Sequence, residues 1–387
     1  MYNIQTLNKI SKYGTDNFDT AKYTVADEVN NPDAIMVRSA AMHDMEFGDN
    51  LLAIARAGAG VNNIPVDKCA ETGICVFNTP GANANAVKEL VIAGLLLTSR
   101  KIPDAMIWAQ GLKGNGAEVG KMVEKGKSQF AGPEIMGKTL GVVGLGAIGA
   151  LVANAAIALG MKVVGYDPFL SVKAALSLDP SVKTVSDVKE LYAASDYITI
   201  HVPFNADTKG TINADAIANM KDGVRILNFA RGELVDNAAI LSATESGKVS
   251  AYITDFPNDE VLGAKNVIAV PHLGASTPES EDNCAKMAAL ELIDYIENGN
   301  IKNSVNYPDA SMNAAGTKIC VMHKNVPAVI SALTSALGSA GINIDNMLNK
   351  SKKDYAYTLI DAAGAVSDDV VSKLCAVENV IKVRVIK

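Results

Sequence analysis

Short apolar runs recur along most of the chain: AIMVR (34–38), LLAIARAG (51–58), GICVFN (73–78), TLGVVGLG (139–146), MKVVGYD (161–167), DYITIHV (196–202), RILNFA (225–230), SAYITDF (250–256) and NVIAVPH (266–272). Longer stretches of helical periodicity separate them. Such alternation predicts parallel sheets with helices on both faces, an α/β architecture of doubly wound domains. The pattern fades over residues 299–316, GNIKNSVNYPDASMNAAG, which is rich in Asn, Gly, Pro and Ser and reads as a linker. Beyond it come a strand at TKICVMH, a helix over 327–340, strands near 343–350 and 354–362, a helix from Ser367 and a strand at VIKVRVI. This order is a βαββαβ unit of the ferredoxin-like kind.

Residues 140–161 are almost wholly apolar or glycine and long enough to span a bilayer. Glycines at 141, 144, 146 and 149, with Asn154 mid-run, fit a buried strand, a tight turn and a small-residue helix better. A chain of 387 residues implies several domains, each with a real core. The first residues, MYNIQTLNKISKYG, lack a secretory apolar run, so a cytoplasmic protein is expected. Five cysteines stand without a close CxxC pair, which argues against a zinc site or redox dithiol, and no metal is expected. A net charge of −7 offers no basic footprint for nucleic acid or an acidic membrane.

Gly144, Gly146 and Gly149 form G-x-G-x-x-G directly after the strand TLGVVG, and a helical stretch follows from Ala147 to a stop at Gly160. The first glycine permits the tight turn and the second lets a pyrophosphate approach the backbone. The third allows close helix packing, while the helix N-terminus attracts phosphate charge. Asp167 ends the next strand, 18 residues after Gly149, where a carboxylate can accept from both hydroxyls of an adenosine ribose. It would repel a 2′-phosphate, and no Arg or Lys follows at once in DPFLS. NAD is therefore the expected cofactor, rather than NADP.

Ligands of open parallel sheets collect beyond the carboxyl ends of the strands, where Asp167, His201, Arg231, Asp255 and His272 all fall. Arg231, in NFARGELVD, can grip a carboxylate bidentately, or serve as a surface charge. His272, in PHLGAST, can exchange a proton with a hydroxyl, or be a satisfied structural histidine. Glu260 lies 29 residues after Arg231 and 12 before His272, placed to hydrogen-bond the imidazole, with Asp259 nearly as well placed.

Together the segments VRSA (37–40), RAGAGVNNIPV (56–66), VFNTPGANANAV (76–87), GKTLGVVGLGAIG (137–149), YDP (166–168), NFARGELVD (228–236) and VPHLGAST (270–277) resemble the D-2-hydroxyacid dehydrogenase family in order and spacing. Within it the chain is most like the short-form members that carry a C-terminal ACT domain. The resemblance implies that Arg231, Glu260 and His272 are the catalytic set. It assigns cofactor contacts to Gly144, Gly146, Ala147, Ile148, Gly149, Asp167, His201, Val202, Pro203, Ala230, Asp255 and His272. Substrate contacts fall on Arg38, Ser39, Ala59, Gly60, Asn83 and Arg231, with Arg38 facing a phosphate. The chain reads TDFPNDEVLG where the family often has DVFxxEP, which leaves the choice between Glu260 and Asp259 open. Lys88 replaces a usual alanine, either adding positive charge or standing as a solvated helix residue.

The implied activity is NAD-dependent oxidation of a phosphorylated D-2-hydroxy acid, 3-phosphoglycerate to 3-phosphohydroxypyruvate, opening serine biosynthesis. Reduction of glyoxylate or hydroxypyruvate, and a non-catalytic NAD-sensing scaffold of the same fold, are the alternatives. The implied domains are a discontinuous flavodoxin-like substrate domain (1–98 and 277–310), an inserted Rossmann domain (99–276) and an ACT domain (317–387), with the active site in an interdomain cleft. Helices near residues 85–100 and 279–298 would make the crossings. Serine is the implied effector, at His323, Asn325 and Asn343, although Ala328 stands where a glycine is usual and its methyl would weaken such binding. Otherwise the domain would serve assembly through sheet edges, and a homodimer or homotetramer is expected.

Overall fold

The computed structural model describes residues 1–386, apart from the side chain of Lys173. Lys387, the last residue of the expected C-terminal domain, lies outside the described residues. The chain forms two compact units, Met1–Asn83 with Pro278–Lys387, and Ala84–Thr277. The helix Ala84–Arg100 thus goes with the second unit, which moves the expected first division from 98/99 to 83/84.

The first unit opens with β1 (Tyr2–Leu7), β2 (Tyr23–Ala26), β3 (Ala34–Val37), β4 (Ala53–Arg56) and β5 (Cys75–Phe77). They form one parallel sheet in the order β2-β1-β3-β4-β5. This is the flavodoxin-like doubly wound order. β1 and β2 are not among the apolar runs, because YNIQTL and YTVA carry polar residues at alternate positions. The helix Pro278–Asn298 adds Ala288, Leu292 and Tyr295 to the core of this sheet.

The second unit holds β6 (Thr139–Val143), β7 (Lys162–Tyr166), β8 (Lys183–Thr184), β9 (Tyr197–Ile200), β10 (Val224–Asn228), β11 (Val249–Thr254) and β12 (Val267–Ala269). Their order, β12-β11-β10-β9-β6-β7-β8, is parallel throughout and reverses between β6 and β9, as in a Rossmann sheet. Residues 140–161 become most of β6, a turn and the helix Ala147–Ala158. Among the described residues no helix is long and apolar enough to cross a membrane.

The chain then returns to the first unit with β13 (Thr317–Lys324), β14 (Ile344–Lys352), β15 (Tyr355–Ala362) and β16 (Val380–Ile386), antiparallel in the order β14-β15-β13-β16. Helices Val329–Ser339 and Asp368–Cys375 cover one face, where Leu333, Leu337 and Leu374 meet Ile319, Val321 and Ile360. The other face sends Cys320, Met322, Tyr357 and Leu359 into the same core as Phe77 and Tyr295.

That docking is fastened by cations. Arg384 donates to the carbonyls of Tyr295 (3.2 Å) and Ile296 (2.9 Å), and Lys318 donates to that of Asn298 (2.5 Å). These carbonyls lie in the last turn of the Pro278–Asn298 helix: that of Tyr295 also accepts from Gly299 N (2.9 Å), whereas those of Ile296 and Asn298 have no further turn to satisfy them. Lys382 donates to Leu51 O at 2.8 Å. Residues 299–316 are correspondingly no free linker: Ile301, Tyr307, Ala310 and Met312 are buried in the shared core. Asn306, equally buried, ties the segment to β5 by accepting from Val76 N (2.9 Å) and donating to Ile74 O (2.9 Å).

Ala328 caps the helix Val329–Ser339 at φ 71, a left-handed conformation that an L side chain resists, and it has no side-chain cap hydrogen bond. The strain costs about 1–2 kcal/mol, part of which glycine recovers against its larger loss of chain entropy. Ala328→Gly is expected to stabilise the chain by about 0.5–1 kcal/mol, read as a higher midpoint in thermal or urea unfolding. An unchanged or lower midpoint would show that the position is not strained.

Candidate active site

The turn after β6 is built for close backbone approach. Gly144 sits at φ +91, and a Cβ there would lie 2.7 Å from the His201 carbonyl and 2.9 Å from a Val202 methyl. At Gly149 a Cβ would fall 1.9 Å from the Gly144 carbonyl, so helix and turn can touch only through glycine. A Cβ at Gly146 would meet nothing within 4 Å. Gly146 caps the twelve-residue helix that Ala147 and Ile148 begin, with no side-chain cap bond, leaving the first-turn amides for an anion.

Asp167 follows β7 directly. One carboxylate oxygen accepts from Leu145 N (2.9 Å) and the other from Phe169 N (2.9 Å), which fixes the group beside the glycine turn. His201 follows β9, with Nε2 2.9 Å from the Thr199 hydroxyl and Nδ1 buried without a partner. Burial pushes its pKa down to about 3, so the ring is neutral and presents a polar atom that a ligand can satisfy. Pro203 continues this rim, its carbonyl accepting from the Thr208 hydroxyl at 2.6 Å. A turn closed to side chains at Gly144 and Gly149, a bare helix start, a fixed carboxylate and an orphaned imidazole nitrogen suit a dinucleotide.

Farther along the rim, Asn228 at the end of β10 is fully buried and braces the next turn. It accepts from Ala230 N (3.2 Å) and donates to Arg231 O (2.8 Å). The Arg231 guanidinium donates to the Ala230 carbonyl at 2.6 Å and lies 5.8 Å from the Phe256 ring centroid. The same ring is 4.6 Å from the imidazole of His272. Phe256 thus links the two, and with Asp255 and His272 it lines a cavity of about 910 Å³. Sequence reasoning missed Phe256 and Asn228. The ring stands one place earlier than the phenylalanine of the DVFxxEP pattern, and that shift was the available signal.

Asp255 is fully buried. Its Oδ2 accepts from Leu273 N (3.2 Å) and Gly274 N (2.9 Å), fixing the loop that carries His272, while Oδ1 has no partner. Burial pushes this carboxyl up, opposed by the Gly274 amide and the field of His272. Glu260, expected beside the imidazole, is hydrogen-bonded elsewhere. It accepts from Asn237 Nδ2 at 2.7 Å, and no hydrogen bond joins His272 to Glu260 or Asp259 among the described residues. An amide 23 residues upstream has taken the carboxylate.

In the first unit, Arg38 follows β3 and is ion-paired with Glu281 at 2.7 Å, both half-exposed. Ser39 N donates to Asn8 Oδ1 (3.0 Å), and the Ala59 carbonyl accepts from Asn78 (2.6 Å). Gly60 and Asn83 are half-buried in loops of the same unit. In the second unit Lys88 donates to Asn85 Oδ1 at 2.5 Å, within its own helix.

The three expected effector residues stand in the first unit, each with partners within the chain. His323 is buried, bonded through one nitrogen to the Lys324 carbonyl (2.7 Å) and through the other to the Thr358 hydroxyl (2.9 Å). Asn325 and Asn343 are exposed and donate to Lys353 O (3.0 Å) and Asp345 Oδ1 (2.7 Å). No cluster of metal-binding side chains occurs among the described residues.

Residues 93–274 match the family described as D-isomer specific 2-hydroxyacid dehydrogenase, NAD binding domain. The chain is 41% identical over 276 residues to a hydroxypyruvate reductase of Thermotoga maritima, covering 68% of this chain and 83% of that one. It is 39% identical over 291 residues to a D-3-phosphoglycerate dehydrogenase of Archaeoglobus fulgidus, covering 73% of this chain and 53% of that one. The chain spans about half the length of the Archaeoglobus fulgidus enzyme and of a Synechocystis D-3-phosphoglycerate dehydrogenase that it also matches. Among solved structures, NAD⁺-bound 3-phosphoglycerate dehydrogenase of Entamoeba histolytica is similar at 26% identity and a TM-score of 0.61, over 80% of this chain and 99% of that one.

Proposed function

The chain belongs to the D-2-hydroxyacid dehydrogenase family, and on that premise we propose that it oxidises D-3-phosphoglycerate to 3-phosphohydroxypyruvate with NAD, the entry to serine synthesis. The observation that carries this reading is the pairing of Arg231 and His272 on one ring, Phe256, along the rim that also holds the dinucleotide cradle.

The residues take these roles. Arg231 binds the substrate carboxylate and C2 oxygen through its planar donors. His272 accepts the C2 hydroxyl proton as the carbon is oxidised and returns it in the reverse direction. Bound NAD supplies the hydride acceptor. Gly144, Gly146, Gly149 and Asp167 would hold the pyrophosphate and ribose, and the unpartnered Asp255 oxygen would be the acceptor for the nicotinamide end. Asp255 holds the His272 loop through backbone amides, with Glu260 left to brace Asn237. Arg38 takes the phosphate.

A second reading, reduction of an unphosphorylated 2-oxo acid such as hydroxypyruvate, is favoured by the pairing of Arg38 with Glu281, which already occupies the candidate phosphate anchor. The two separate by NADH absorbance with 3-phosphohydroxypyruvate, hydroxypyruvate and glyoxylate in turn. The phosphorylated acid is expected to be preferred. Arg38→Ala should then raise its KM about tenfold, as for a lost charge-assisted hydrogen bond, and leave hydroxypyruvate unaffected. Glu281→Gln should lower that KM a few-fold, since breaking a half-exposed ion pair costs about 1 kcal/mol or less. Equal use of all three acids, with neither substitution discriminating, would establish the second reading.

A further inference from the structure

The outer face of the helix Pro278–Asn298 carries a cavity that the dehydrogenase chemistry does not use. It holds about 420 Å³ and is lined by this helix and by Asn300, Lys302 and Asn303 of the following segment. Small-ligand sites run from roughly 300 to 1,000 Å³. Glu291 lies in its wall, only 7% exposed. Its Oε1 accepts from Asn303 Nδ2 at 2.7 Å, whereas its Oε2 is buried with no partner. A buried carboxyl oxygen without a partner is destabilising, and a ligand donor would relieve it.

The other lining groups describe that ligand. Asp294, one turn on, accepts from Asn298 (2.8 Å) and Asn300 (3.0 Å) through Oδ1 alone. Met287 and Leu290 provide an apolar wall, and Lys286 and the exposed Lys302 stand beside it. Recessed carboxyls with neighbouring ammonium groups complement a molecule bearing both charges, and the apolar wall complements an aliphatic body. We propose that this cavity binds a small zwitterion with an aliphatic side chain, an aliphatic α-amino acid, its ammonium on Glu291 and Asp294 and its carboxylate on Lys286 and Lys302.

The empty site carries a protonic signature. Burial pushes the Glu291 carboxyl up to about 8, against the Asn303 hydrogen bond and the field of Lys302, with Asp309 adding to the rise. At pH 7 it is therefore mostly protonated, and an ammonium placed against Oε2 favours the carboxylate and expels that proton. Binding should release close to one proton at pH 7 and far fewer at pH 9, where the carboxyl is already ionised.

The test is calorimetric titration of the full chain with L-leucine at pH 7 in two buffers of different ionisation enthalpy. 3-Methylbutylammonium and 4-methylpentanoate, which lack the carboxylate and the ammonium respectively, are titrated in parallel. Leucine is expected to bind with proton release, the amine more weakly and the acid not at all. Glu291→Gln keeps the oxygen that Asn303 needs, so its melting temperature and NADH oxidation should hold while leucine affinity falls at least tenfold and the proton release vanishes. Absence of binding by leucine, valine and alanine, or undiminished leucine binding in Glu291→Gln, would overturn the assignment. Neither outcome touches the dehydrogenase reading, which is followed by NADH absorbance.

Discussion

Replacing His272 by Asn is expected to cut turnover by about 10²–10⁴, the range for removing a positioned proton-transfer group. NAD affinity should stay within a few-fold of the parent, because the glycine turn, Asp167 and His201 belong to other strand ends and do not depend on the imidazole. The His272 side chain is exposed, and its ring contact in the structure is the Phe256 ring at 4.6 Å, so the fold should survive with little change in melting temperature. Stopped-flow binding of NADH together with steady-state rates separates the two effects. If turnover persisted while the melting temperature held, proton transfer would have to be assigned elsewhere on this rim.

The second large effect comes from a pair of glycines three residues apart. At Gly146 (φ −69), alanine is conformationally allowed and meets no protein atom within 4 Å. Gly146→Ala should therefore fold normally. Its methyl would occupy the path of a pyrophosphate and disrupt about two charge-assisted hydrogen bonds, which is on the order of a hundredfold in NADH affinity. At Gly149 the added methyl would come within 1.9 Å of the Gly144 carbonyl, an overlap that only backbone movement can relieve. Gly149→Ala should lose several kcal/mol of stability as well as binding, in the manner of an overpacked core. The split is read by thermal unfolding beside NADH fluorescence titration. A Gly146→Ala chain that bound NADH as tightly as the parent would place the pyrophosphate elsewhere.

The Rossmann sheet was legible because its strands are buried on both faces, so each appears as an unbroken apolar run, and because the glycine spacing answers to a ligand rather than to distant contacts. β1 and β2 were hidden by their polar alternation. The partners of the site residues were less legible still, since they are set by tertiary approach. Nothing local in NDEVLG says that Asn237 will claim Glu260, and nothing near VRSA says that Arg38 will meet Glu281, 243 residues on. Residues 299–316 misled by composition: Ser304 and Asn306 are buried with their hydrogen bonds made, and read the same in sequence as polar groups in water. In β16 the strand VIKVRVI suggests a wet face for Lys382 and Arg384, yet both reach carbonyls of the larger domain.

Those cations change how the C-terminal sheet and its neighbour share stability. Arg384 and Lys318 complete the end of a helix that belongs to the neighbour, and Phe77 and Tyr295 are sheltered by side chains of the sheet itself. Each part thus supplies what the other lacks, so heat or urea should dismantle them in one cooperative step. The βαββαβ segment is a module by topology and a wall of its neighbour by thermodynamics, and severing it would leave a fraying helix over a wetted aromatic floor.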